Sequence, residues 1–212
     1  LQRFRRFTLK PDRLVEPSQL VPDVELGPDG GGLAGVLDRL RDQDPERFEA
    51  LNRTLAKWLP EFDRVLFETP GQGIRSFLLR AQRGHAIAAQ HLSQVTALAV
   101  AILTLAYLPQ QPPIVCFEEP DRGIHPRLMR EVQDALYRLA YPEACGENRA
   151  PVQVIATTHS PYLLDLFRDH PEEVVIANKH ADGSATFQRL SDQKELDEIL
   201  GSTSVPRVVR AS

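Results

Sequence analysis

The sequence predicts an α/β fold: a parallel-sheet core preceded by a helical and β-hairpin N-terminal segment. Three observations predict it. Two short apolar runs, PPIVCFEE (112–119) and PVQVIATTH (151–159), each end in polar residues, as strands buried on both faces of a parallel sheet do. Between them, PRLMREVQDALYRLA (126–140) repeats apolar residues at helical spacing, and strand–helix–strand alternation implies parallel pairing. Ahead of them, residues 33–82 carry two amphipathic helical stretches and then two β-prone runs around Pro-Gly-Gln-Gly.

The elements follow in order. Residues 1–32 are punctuated by Pro11, Pro17, Pro22 and Pro28, which break any long element. The run Gly27 to Gly35 is glycine-rich, yet no Lys-Ser or Lys-Thr follows it and no apolar strand precedes it. A phosphate-cradling loop needs both, so this run reads as a turn into a helix. Apolar residues then recur from Leu33 to Leu59 at helical spacing, interrupted at Asp44-Pro45. Proline suits a first helical turn and Asp44 its N-cap, which makes two helices. VLFET (65–69) and IRSFLLRAQ (74–82) form an antiparallel hairpin. Ser93 to Tyr107 is a strongly apolar helix, and the apolar stretch 95–108, at about 14 residues, is shorter than the roughly 20 that cross a bilayer. After the second apolar strand, PYLLDLFR (161–168) reads as a helix. EEVVIAN (172–178) and SATFQRL (184–190) pair across Ala-Asp-Gly, the first of them continuing the core alternation.

Composition narrows the function classes. The chain has 212 residues, 42% hydrophobic and 25% charged, as soluble globular chains have. A net charge of −4 gives no global basic field for nucleic acid, although Arg3, Arg5, Arg6 and Lys10 cluster near the start. Cys116 and Cys145 form neither a disulfide framework nor a metal-ligand spacing, and nothing points away from the cytoplasm or towards a membrane.

Three segments occur in a telling order: HLSQVTALAVAILTLAYL from residue 91, IVCFEEPDRGIHPRLM from 114 and VQVIATTHSPYLL from 152. With these the chain resembles ABC-type P-loop ATPase heads of the RecF, SMC and overcoming-lysogenization group, and most of all AbiEii-toxin-like AAA ATPases. The resemblance covers about residues 20–200. It implies a P-loop NTPase core over 91–200, a helical and hairpin segment over 1–90 and a tail over 201–212. It implies ATP and Mg²⁺ as cofactors, with Glu118 on the metal, Glu119 polarising the attacking water and His159 at the γ-phosphate. Ser93 would reach a partner's nucleotide, and Asp121 and His125 would lie on an interface turn. Adjacent strand residues face opposite sides, so both carboxylates serve one site only if the strand end twists into the Pro120 turn.

Two departures from the family pattern stand out. In Leu92-Ser93-Gln94-Val95-Thr96, Val95 replaces a signature glycine, and Leu98 stands where relatives often have Arg. The strand, phosphate loop and helix that open a full head would precede Leu1, and the lack of an initiator Met suggests a trimmed chain, a processed chain or a fragment, with a loop supplied by another chain or a natural remnant as the other readings. The resemblance therefore implies the C-terminal half of an ATPase head acting in DNA transactions or phage defence. Such a head would be a homodimer, with a nucleic-acid or nuclease partner. Two other readings stay open: a degenerate, non-catalytic dimerisation or regulatory module, and a metal-dependent nuclease using Glu118, Glu119, His159 and Asp165. Residues 33–59 would form a lid beside the nucleotide site.

Overall fold

The computed structural model of the chain describes residues 4–192, so the expected tail over 201–212 lies outside the described residues. The chain divides into two compact units, residues 1–160 and 161–212.

The first unit is built around one buried helix. Strand β1 (Phe4–Phe7) and a single helical turn α1 (Pro11–Leu14) open it, followed by the short strand β2 (Ser18–Gln19). Helix α2 (Leu33–Gln43) gives way to α3 (Pro45–Trp58) at Asp44, whose carboxylate accepts from Arg47 N at 3.1 Å as the sequence predicts for an N-cap. Strands β3 (Phe62–Gly71), β4 (Ile74–Ala81) and β5 (Ala86–Ala88) join β2 in a four-stranded antiparallel sheet, with β3 and β4 forming the expected hairpin. Helix α4 (Gln94–Tyr107) buries almost every side chain and packs against α1, α3 and α5 (Met129–Ala140). Uniform apolarity is the mark of a helix covered all round.

The edge that carries the acidic pair comes from the other sheet. Strands β6 (Ile114–Glu118) and β7 (Gln153–Thr157) lie parallel, joined through α5. The third strand is β1, parallel to β6 with Phe4 opposite Ile114, giving the order β1-β6-β7. Sequence reading left residues 4–7 without an element, because FRRF shows charge where a buried strand shows apolar residues. Phe7 supplies the missing anchor: it is buried and its ring stacks on Phe117 with centroids 5.8 Å apart.

In the second unit, α6 (Pro161–Asp165) precedes β8 (Val175–Lys179) and β9 (Ala185–Arg189), an antiparallel pair. The sequence predicts this pairing across Ala-Asp-Gly, and the residues of β8 are largely exposed.

Candidate functional site

Parallel pairing brings the C-terminal ends of β1, β6 and β7 to one edge, and the chain places polar side chains at all three. Thr8, just past β1, donates its hydroxyl to Glu118 Oε2 at 2.7 Å. Glu119 follows with a φ of 47°, the one positive-φ residue other than glycine among the described residues. A left-handed backbone costs a side-chain-bearing residue about 1–2 kcal/mol. Two bonds hold it there: Glu119 N donates to Thr157 O at 3.0 Å and to Thr157 Oγ1 at 3.2 Å. The reversal breaks the strand's alternation and turns the Glu119 carboxylate toward the end of β7. There its Oε1 lies 3.7 Å from His159 Nε2, and its Oε2 lies 3.5 Å from Arg122 Nη1.

The turn that follows is a pair of overlapping reverse turns. Pro120 occupies the favoured second position of the first, closed by Arg122 N donating to Glu119 O at 2.9 Å. The second closes from Ile124 N to Asp121 O at 3.0 Å, and Gly123, with φ 78°, takes its left-handed corner. Asp121 is 7% exposed; its Oδ2 accepts from Thr158 Oγ1 at 2.8 Å. His125 is exposed, and its Nδ1 accepts from Arg127 N at 3.2 Å, which caps the turn Pro126–Leu128 ahead of α5. That bond puts the proton of a neutral His125 on Nε2.

Two cavities border these residues. The first, of about 400 Å³, is lined by Thr8, Lys10, Leu98, Glu118, Glu119 and Arg122 over a floor of Phe7 and Phe117. The second, also about 400 Å³, gathers Ser93, Val95, Thr96, His125 and Arg127. Thus Glu118 and Glu119 line one cleft with His159 beside Glu119, while Ser93 and His125 border a different recess. Ser93 N-caps α4: its oxygen accepts from Thr96 N at 3.1 Å and lies 2.8 Å from Thr96 Oγ1. Asp165 belongs to the second unit, where it pairs with Arg168.

Sequence reading missed Thr8, Lys10, Thr157 and Thr158. The paired threonines were in view in TTHSP but carried no role; Thr8 carried no signal. The glycine run is a turn into α2. Asp29 Oδ1 accepts from Gly31 N at 3.0 Å, and a Cβ at Gly30 would meet Leu14 Cδ2 at 2.2 Å. An acid occupying that amide opposes phosphate.

The cleft's donors fit a divalent cation. The Glu118 and Glu119 carboxylates and the Thr8 hydroxyl are hard oxygen ligands of the kind Mg²⁺ takes. Lys10 and Arg122 are the cations lining the same cleft.

Residues 1–165 match the family described as "AAA domain, putative AbiEii toxin, Type IV TA system". No curated protein matches the chain. Among solved structures, one from work on ATP-driven dimerization and DNA-stimulated activation of SMC ATPases superposes with a TM-score of 0.53 at 15% identity. It covers 78% of this chain and 94% of that one. The Smc head domain of Pyrococcus yayanosii, with its coiled coil and joint, gives 0.47 at 16% identity, over 78% of this chain and 30% of that one. An SmcHead bound to the C-winged helix domain of ScpA gives 0.48 at 16%, over 73% and 46%. The parallel sheet with its acidic strand end is thus a P-loop NTPase fold of the SMC-head kind, and the chain belongs to the AAA-domain family that its first 165 residues match.

Proposed function

We propose that the chain supplies the metal-holding and water-activating part of an ATP-hydrolysing head. The left-handed Glu119 carries the reading: a strained backbone is retained where it aims a carboxylate beside a histidine at a strand end. In this reading Glu118, steadied by Thr8, holds Mg²⁺, which when bound neutralises charge on the phosphate oxygens. Glu119 takes the proton of the attacking water as its oxygen bonds to the γ-phosphorus and the bond from that phosphorus to the bridging oxygen breaks, releasing ADP, while His159 donates a hydrogen bond to the γ-phosphate. The sequence holds no glycine-rich run followed by Lys-Ser or Lys-Thr, so none of these residues is assigned to cradle the β- and γ-phosphates.

Dimerisation, with Ser93 and His125 at the interface, is part of the proposal. The SMC ATPase structure is described by ATP-driven dimerization and DNA-stimulated activation, and the matching family by a toxin of a toxin–antitoxin system. The first description supports a role in DNA transactions; phage defence and a cytoplasmic location are part of the proposal. No described helix is long and apolar enough to cross a membrane.

ATP turnover by the full-length natural protein and its Glu119→Gln form tests the reading. General-base removal should lower turnover about 100-fold or more while nucleotide binding persists. Equal rates in the two forms overturn it. One observation favours a second reading, a non-catalytic dimerisation module. Ser93 Oγ already bonds Thr96, and the β-branched Val95 lines the recess where a glycine would allow close approach.

A further inference from the structure

We infer that the Asp121–Thr158 hydrogen bond is a positioning link, coupling the turn after Glu119 to the loop that carries His159 so that the two move as one body. The inference rests on the reading above for its consequence in turnover, and on geometry alone for the link itself.

A carboxylate in a strand-end turn is ordinarily solvated. Asp121 is instead 7% exposed, and its Oδ1 has no hydrogen-bond partner among the described residues. Such burial costs free energy unless the group is bonded, and the one bond its carboxylate makes there is to Thr158. The Thr158 hydroxyl is engaged twice. It donates to Asp121 Oδ2 at 2.8 Å and accepts from Ser160 N at 2.9 Å. It thereby staples residues 158–160, with His159 at the centre of the staple. The His159 side chain is 91% exposed, so little packing orients its ring and the loop backbone sets its place.

A second tether runs alongside. Glu119 N bonds Thr157, two residues before Asp121 on one strand end and one before Thr158 on the other. Two tethers on either side of Pro120 make a hinge-free joint: a shift of 121–126 displaces His159 relative to Glu119 only by breaking one of them. Turn and loop therefore report to each other. Catalytic geometry is sensitive at this scale, since misplacement by about 1 Å can cost about 100-fold in rate.

Thr158→Val removes the hydroxyl and keeps the shape; Thr158→Ser keeps the hydroxyl. Amide exchange in the full-length protein tests the link directly. In Thr158→Val the amides of Ser160, Arg122 and Ile124 should all exchange at least about tenfold faster, and Thr158→Ser should restore all three. Acceleration confined to Ser160 overturns the link. Thr158→Ala reads the same amides if the valine form does not fold. In turnover, Thr158→Val should lower kcat about tenfold or more with KM changed less than about twofold, rescued by serine. Coupled exchange with unchanged kcat overturns the positioning role. Wild-type turnover that is insensitive to Glu119→Gln sinks the ATPase reading instead, and leaves the exchange result to decide the link.

Discussion

Thr8 and Glu118 are 110 residues apart in sequence, and a single hydroxyl joins them. Thr8→Val frees the carboxylate to rotate. If Glu118 holds Mg²⁺ as proposed, the Mg²⁺ concentration for half-maximal turnover should then rise about tenfold, since one hydrogen bond to a charged group contributes about 1.5 kcal/mol. Thr8→Ser should leave it unchanged, and an unchanged value in the valine form would remove Thr8 from the metal site. The two carboxylates and His159 were legible in sequence because EEP and THSP put them at the ends of apolar runs. Thr8 was not: a hydroxyl after FRRF has no meaning until β1 is seen beside β6. Asp121 was expected on an interface turn, and only the fold shows its carboxylate turned inward to Thr158.

Among the elements, the boundary between α2 and α3 was legible because Asp44-Pro45 states its own geometry, and the β3–β4 hairpin because its turn does. What joins the helices to one another was not. Glu147, buried after α5, pairs with Arg47 from α3, Arg138 from α5 and Arg149 from its own loop. Arg138 also lies over the Tyr107 ring at 4.0 Å, and Tyr107 Oη sits 2.7 Å from Thr54 Oγ1. One carboxylate thus fastens α3, α4 and α5 together, through residues with no common motif. Glu147→Gln leaves Arg138 and Arg149 without their counter-charge and Arg47 with Asp44 alone, and should destabilise the protein by about 3 kcal/mol in urea unfolding. A loss under about 1 kcal/mol would show that the packing of α4 alone holds these helices.

For the whole molecule, the same group sets an acid limit. Burial pushes the Glu147 carboxyl up, but the Arg149 hydrogen bond, the Arg138 charge and the Arg47 hydrogen bond outweigh it and hold it below its ordinary value of 4.5. The folded state therefore binds the proton less readily than the unfolded one. The stability it contributes is complete above the ordinary value and is lost as pH falls through the lower folded one. The melting temperature of the wild type should fall more steeply below about pH 4.5 than that of Glu147→Gln, and parallel acid slopes would assign the loss to other groups.

The placement of β1 has a consequence in time. Phe4 pairs with Ile114, so the acidic edge closes only when a chain segment of about 110 residues has been made and its ends have met. At ordinary translation rates β1 waits on the order of ten seconds for its neighbour. Through that interval the antiparallel sheet, α2 and α3 can form from local contacts, while Phe4 and Phe7 wait for β6. The carboxylate end of the sheet therefore comes together late in the first unit, and a nascent chain held short of β6 carries an aromatic strand without that neighbour.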